Sequence, residues 1–94
     1  MFSQIPVDLG KLSKGNIDKE VLRLAVIAEL DAISLYEQLA AMTDNKYIKA
    51  VLMEVAGEEK THVGEFQAML LDEDKQQKDE LVAGKKEVEE LKEK

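Results

Sequence analysis

Two stretches of seven-residue apolar periodicity constrain the fold of this chain more than any other feature of its sequence. Apolar and small side chains recur with helical spacing through residues 17–42, and the same spacing returns in residues 46–71. Between them, TDNK at 43–46 has the composition of a turn followed by a helix cap. The sequence therefore predicts two long helices that form an antiparallel hairpin.

The flanking segments differ in composition from the hairpin. The first fifteen residues carry a proline and two glycines, which predicts an irregular arm, and Asn16 is the predicted N-cap of the first helix. After the hairpin, DEDKQQKDE at 72–80 predicts a solvated stretch, and Gly84 is expected to separate it from a short charged helix. We therefore predict one all-α domain with an arm at 1–15, a hairpin at 16–71 and a charged tail at 72–94.

Composition excludes several classes of function. The formal net charge is −7, so the basic surface that nucleic acids and anionic membranes require is missing. The chain has no cysteine, which excludes disulfides, thiolate nucleophiles and cysteine-ligated metal sites. The sequence lacks an apolar run long enough to span a bilayer, and its first residues lack the apolar stretch of a signal peptide. These features predict a cytoplasmic protein.

Three polar residues occupy positions in the apolar pattern. Glu29 stands seven residues before Tyr36 on the first helix, and Glu59 and His62 share the packing face of the second helix. Burying an ionised carboxylate is costly unless a partner compensates its charge. These side chains therefore need an explanation that packing alone does not give.

The geometry of a hairpin predicts that the three residues meet. The pairs Glu29–Glu59 and Glu29–His62 are both centred near the turn, which places all three side chains at one height. A Glu-x-x-His pair on a helix surface, or a polar network that fixes helix register, would also account for this pattern. However, a single imidazole faces two carboxylates, and a bound cation would supply the missing positive charge.

One hairpin supplies half of a four-helix di-metal site. Such a site takes a Glu from each of two helices and a Glu-x-x-His from each of two others. A second copy related by a two-fold axis would complete the set, and four carboxylates would balance two divalent cations. The first helix is also apolar over most of its surface, so it is expected to need a further packing partner.

Two segments carry a resemblance to a known family. IAELDAISLYEQLA at 27–40 and EVAGEEKTHVGEFQAML at 54–70 resemble the encapsulated ferritins, which are two-helix half-ferritins of the ferritin-like superfamily. The resemblance implies hairpins that pair into a four-helix dimer, with iron bound across the dimer interface and dimers assembled into an annular decamer. It also implies oxidation of ferrous iron inside an encapsulin nanocompartment, whose shell holds the mineral.

The resemblance also implies roles for individual residues. Glu29, Glu59 and His62 correspond to the iron ligands. Tyr36 corresponds to a tyrosine beside the site, and Asp31 and Glu58 correspond to acidic positions of peripheral metal binding. Some members carry an acidic residue, a tryptophan and a histidine where this chain has Ala28, Leu35 and Glu54, so the departures concern the periphery and leave the three ligands intact.

The predicted function is that of a ferroxidase that oxidises Fe(II) to Fe(III) at a di-iron site. Carboxylate and imidazole ligands suit iron, and manganese or zinc also fits them. Two alternatives stay open at this point. One is a rubrerythrin-like di-iron peroxidase, and the other is a non-enzymatic helical assembly module with a buried polar network.

Overall fold

Three helices make up the described part of the chain. The computed structural model describes residues 14–94, with side chains from Asn16 onward, and most of the predicted arm lies outside this range. Helix α1 spans Lys14–Met42, α2 spans Lys46–Glu73 and α3 spans Lys75–Lys92. The all-α prediction is confirmed, and so is the antiparallel pairing of α1 with α2 across a short turn.

The turn between α1 and α2 has the predicted chemistry. The Asn45 side-chain oxygen accepts hydrogen bonds from the backbone N–H groups of Tyr47, at 2.9 Å, and Ile48, at 3.1 Å. These N–H groups have no partner within their own helix, so this cap stabilises the start of α2. The Thr43 hydroxyl oxygen accepts a further hydrogen bond from the Asn45 N–H at 3.2 Å.

Three predictions about helix boundaries were wrong. Helix α1 begins at Lys14, so Gly15 and Asn16 lie inside it, and Asn16 is not its N-cap. The stretch 72–80 is mostly exposed, as predicted, but most of it is helical, because α2 continues to Glu73 and α3 begins at Lys75. Gly84 does not break α3, since the cost of about 1 kcal/mol for a helical glycine is tolerated among strong helix formers.

The junction between α2 and α3 depends on Asp74, which is only 8 % exposed. One carboxylate oxygen accepts a hydrogen bond from the Gln77 backbone N–H at 3.0 Å and caps α3. The other accepts a hydrogen bond from the Arg23 guanidinium of α1, also at 3.0 Å. Arg23 pairs with Glu20 as well, so this cluster of one guanidinium and two carboxylates links all three helices.

The hairpin buries little apolar surface of its own. The buried apolar side chains of the described residues are Ala40, Ala56 and Leu70. Many larger apolar side chains of α1 and α2 remain exposed, including Leu30, Leu35, Leu39, Ile48, Val51 and Met69. Exposed apolar surface of this extent is typical of a subunit that packs against another chain.

Candidate metal centre

The candidate metal centre lies where α1 and α2 pack against each other. Glu29 projects from α1, and Glu59 and His62 project from adjacent turns of α2. One ligand atom from each residue lies within 4.8 Å of the other two. The predicted convergence of these three side chains is therefore confirmed.

The imidazole of His62 lies between the two carboxylates. Its Nδ1 atom is 3.3 Å from a Glu59 carboxylate oxygen and 3.5 Å from a Glu29 carboxylate oxygen. Because Nδ1 can form a well-aligned hydrogen bond with one of these oxygens at a time, one imidazole cannot fully satisfy both carboxylates.

The electrostatics of this cluster are unbalanced. The Glu29 and Glu59 side chains are 19 % and 18 % exposed. The buried Glu29 Oε2 atom is the oxygen that lies 3.5 Å from His62 Nδ1, and it forms no hydrogen bond. The ion pairs of the described lysines and arginines lie elsewhere: Lys60 pairs with Glu37 at 3.2 Å, and Arg23 with Glu20 and Asp74. An unpartnered carboxylate oxygen in a partly buried site is costly, and a cation would remove that cost.

The donor set fits a metal of intermediate hardness. Two carboxylates and one imidazole suit iron, manganese or zinc, whereas a calcium site would be built from oxygen atoms alone. The imidazole is 45 % exposed, so the cluster opens to the surface of the hairpin on the His62 side. Glu29, Glu59 and His62 could therefore hold a metal ion and leave coordination positions free for ligands from outside the chain.

The other predicted site residues lie around this cluster. Tyr36 is partly buried on α1, two turns beyond Glu29, and within the chain it forms no hydrogen bond with the three cluster residues. Asp31 is partly buried and Glu58 is exposed, and neither belongs to the convergent group. Their proposed peripheral roles stay predictions.

Sequence reasoning missed the second polar cluster, formed by Arg23 and Asp74. These residues are 51 positions apart, so no short-range sequence pattern predicts their contact. The hydrogen bond from the Gln77 N–H lowers the pKa of the Asp74 carboxyl, and Lys19 and Arg23 act in the same direction. The hydrogen bond to Glu20 raises the pKa of Arg23. One signal was available: an aspartate three residues before Gln77 fits an N-cap.

Among the described residues, every helix is too short or too polar to span a bilayer.

Comparisons with known proteins place this arrangement in a family. The rubrerythrin family model matches residues 20–94. A crystal structure of the encapsulated ferritin domain from Pyrococcus furiosus superposes with a TM-score of 0.82 at 45 % sequence identity, covering 97 % of this chain and 93 % of that one. The chain belongs to the encapsulated ferritins, within the rubrerythrin family. The resemblance noted in the sequence is thereby confirmed.

Two curated relatives extend this comparison. The chain is 56 % identical over 72 residues to a ferritin-like–encapsulin shell fusion protein of P. furiosus. It is 47 % identical over 45 residues to the encapsulin nanocompartment cargo protein EncC of Myxococcus xanthus. The matched regions cover 77 % and 48 % of this chain but only 21 % and 35 % of the two relatives. This encapsulated ferritin therefore corresponds to a small part of each longer protein.

Proposed function

We propose that this encapsulated ferritin is a ferroxidase whose iron site is shared between two copies of the chain. The observation that carries the proposal is the buried Glu29 Oε2, which has no hydrogen-bond partner and lies beside a second carboxylate and an imidazole. A network that only fixed helix register would be expected to satisfy its buried acceptors. This site has an excess of acceptors, which is what binding of a cation requires.

The shared site follows from counting ligands. One chain offers two carboxylates and one imidazole, which is half the ligand set of a di-iron carboxylate centre. The face around His62 is partly open, and exposed apolar side chains such as Leu35 and Leu39 lie on the same hairpin. A second copy would bring an equal set of ligands and cover this apolar surface, so four carboxylates would neutralise two Fe(II) ions.

In the proposed reaction the chain binds Fe(II) as its substrate. Glu29 and Glu59 supply negative charge that favours the higher oxidation state, and His62 supplies a neutral nitrogen ligand. Two Fe(II) ions lose one electron each to one dioxygen molecule, which takes up two protons and leaves as hydrogen peroxide. The residues hold both ions within reach of one oxidant molecule, so that its two-electron reduction takes place at a single site.

The proposal extends to partners. The two curated relatives are an encapsulin shell fusion protein and an encapsulin cargo protein. We therefore propose that this chain lies inside an encapsulin shell in the cytoplasm, and that the shell stores the ferric product. We also propose that paired hairpins assemble further, into the annular decamer implied by the family resemblance. Copurification of a separately tagged encapsulin shell with the chain would support the first of these proposals, and failure to copurify would count against it.

The experiment that tests the ferroxidase proposal measures ferrous oxidation in matched variants. Glu59→Ala and His62→Ala should each abolish dioxygen-dependent formation of ferric iron, because each removes one ligand from both halves of the site. Glu65→Ala, which removes an exposed carboxylate of the same helix, should retain normal rates. Normal oxidation by both ligand variants would refute the assignment.

A rubrerythrin-like peroxidase is the second candidate, and the match to the rubrerythrin family model favours it. Both activities would use the same three residues, so the ligand variants do not separate them. Rates measured with dioxygen and with hydrogen peroxide, in the presence of an electron donor, do separate them. A ferroxidase releases ferric iron as its product, whereas a peroxidase returns to the ferrous state and turns over peroxide many times.

A further inference from the structure

Helix α3 has apolar side chains that the other described helices leave largely exposed. It contains no buried residue, and it makes much less contact with α2 than α1 does. Leu81, Val88 and Leu91 are between 41 % and 67 % exposed. An isolated helix of 18 residues is only marginally stable in water. A partner that covers these side chains would therefore stabilise α3.

Leu81, Val88 and Leu91, together with Gln77 and Gly84, follow a coiled-coil spacing. Gln77, Leu81, Gly84, Val88 and Leu91 are separated by four, three, four and three residues, which is the spacing of the core positions a and d in a heptad. Leu81 and Val88 take position a, and the other three take position d. All five therefore lie along one side of α3, which we call the α3 stripe.

Charged residues flank the α3 stripe with opposite signs on its two sides. Lysines follow each d position, at Lys78, Lys85 and Lys92. Glutamates precede each a position, at Glu80 and Glu87. In heptad terms the e positions are all lysine and the g positions within the helix are all glutamate, and these positions determine the orientation of coiled-coil partners.

This charge pattern distinguishes the two orientations of a pair of identical helices. In a parallel pair, a g residue of one helix faces the e residue five positions later on the other, so Glu80 would face Lys85 and Glu87 would face Lys92. In an antiparallel pair, e faces e and g faces g, so lysine would face lysine and glutamate would face glutamate. The pattern is attractive only in the parallel orientation.

We propose that the α3 stripe is an interaction surface for α3 of a second copy of this chain, and that the two helices form a short parallel coiled coil. The pair is short for a coiled coil, and Gly84 occupies one core position, so the contact is weak between separate chains. Chains already held together elsewhere would form it readily, because tethering raises the effective concentration. The proposed contact is independent of metal and of the ferroxidase assignment.

Cysteine cross-linking of the full-length protein tests the contact directly, because the natural sequence contains no cysteine. Leu81→Cys and Leu91→Cys should each form a disulfide with the same position of another copy. Val82→Cys is the matched control, since Val82 is an exposed apolar neighbour that lies off the α3 stripe. It should cross-link at least about tenfold more slowly than Leu81→Cys, because only paired positions gain effective concentration.

The orientation is read from a mixture of the two cysteine variants. A parallel pair keeps positions 81 and 91 about 15 Å apart along the helix, which is far beyond the reach of a disulfide. Disulfides within each variant and none between the variants would support the proposal. A predominance of the mixed disulfide would show antiparallel pairing, and equal rates for Leu81→Cys and Val82→Cys would show that α3 does not pair at all. Either result overturns the proposal.

Charge reversal gives a second test, with a closely matched control. Lys85 and Lys86 are adjacent, and each lies four residues before a glutamate, but only Lys85 flanks the α3 stripe. In the Leu81→Cys background, Lys85→Glu should slow cross-linking about tenfold, since two attractive pairs become repulsive. Lys86→Glu should have little effect, and adding Glu80→Lys to Lys85→Glu should restore the rate. Equal effects of Lys85→Glu and Lys86→Glu would refute the parallel pair.

Discussion

Two partly buried polar clusters in the described part of the chain differ in whether their buried carboxylate oxygens have hydrogen-bond partners. At the junction of the three helices, both Asp74 carboxylate oxygens have partners, one from Arg23 and one from the Gln77 N–H. Between α1 and α2, two carboxylates share the His62 imidazole, and Glu29 Oε2 has no hydrogen bond. The first cluster is complete within one chain, whereas the second is not.

This difference separates a structural cluster from a candidate functional one. A saturated cluster has no remaining need for a ligand, and its contribution is to fix how α3 leaves the hairpin. An unsaturated cluster costs stability in the free chain, and that cost is recovered when a cation binds. Changes at the unsaturated cluster should therefore impair iron oxidation while changes at the saturated cluster leave it nearly unaffected, and the two kinds of change should shift stability in opposite directions.

The largest expected effect is on iron oxidation. Glu29→Gln keeps the size of the side chain but removes its charge, so we expect the oxidation rate to fall at least about 100-fold. Asp74→Asn, the matched change in the saturated cluster, should stay within about threefold of the wild-type rate. Stopped-flow measurement of ferric absorbance makes the comparison. Comparable losses in both variants would mean that the clusters do not differ in function.

Metal-linked association is the next largest effect. Pairing without metal would bring four carboxylates together, and two divalent cations would relieve their repulsion. We expect zinc or ferrous ions to strengthen association about tenfold or more, as followed by sedimentation velocity at low protein concentration.

Variants sharpen this association test. Glu29→Ala should blunt the response to metal, whereas Asp31→Asn and Glu58→Gln should change it less, because neither residue belongs to the convergent group. A wild-type protein that sediments identically with and without metal would show that binding and association are uncoupled. Full-affinity iron binding by a strictly monomeric chain would rule out the shared site.

In the absence of metal, substitutions at the two clusters should change the free energy of unfolding in opposite directions. Glu29→Gln removes the charge of a partly buried carboxylate whose Oε2 atom forms no hydrogen bond, so it should raise the free energy of unfolding by about 1 kcal/mol. Asp74→Ala should lower it, because both the helix cap and the contact with Arg23 are lost. Urea denaturation in the presence of a chelator measures both changes. A loss of stability in Glu29→Gln would show that Glu29 is already satisfied without metal.

The saturated cluster should also show a characteristic dependence on pH. Because folding lowers the pKa of Asp74, its charged form adds stability above the ordinary pKa of about 3.9, and this stability is lost as the pH falls through the lower folded value. The stability difference between wild type and Asp74→Asn should therefore be constant above about pH 5 and shrink below about pH 4. Thermal melts across this range test it, and a difference that persists to pH 2 would contradict it.

The smallest expected change in stability is at an exposed ion pair, and it provides the reference for the changes at the Asp74 cluster. Lys60 and Glu37 lie 3.2 Å apart with both side chains largely exposed. Lys60→Ala should change the free energy of unfolding by no more than about 0.5 kcal/mol, since solvent screens such pairs. If Lys60→Ala and Asp74→Ala lowered the free energy of unfolding equally in the same denaturation assay, the Asp74 cluster would stabilise the fold no more than an exposed ion pair does.

The sequence was most informative where structure depends on neighbouring residues. Helical periodicity predicted α1 and α2, and the turn and cap composition of TDNK at 43–46 placed the start of α2 near Lys46, as observed. Because a hairpin with a tight turn fixes which residues face each other, the convergence of Glu29, Glu59 and His62 could also be predicted. The boundaries of α3 could not, since DEDKQQKDE reads equally well as a solvated loop or an exposed helix.

The sequence by itself therefore determined the hairpin and the three residues that meet within it, because helix period, capping and a tight turn are local properties. Only the tertiary structure decided which buried charges are satisfied. The contact between Arg23 and Asp74 joins residues distant in sequence, and the unpartnered oxygen of Glu29 depends on atomic positions that no residue pattern specifies. Saturation of a polar group depends on distances and burial, and these exist only once the helices have packed.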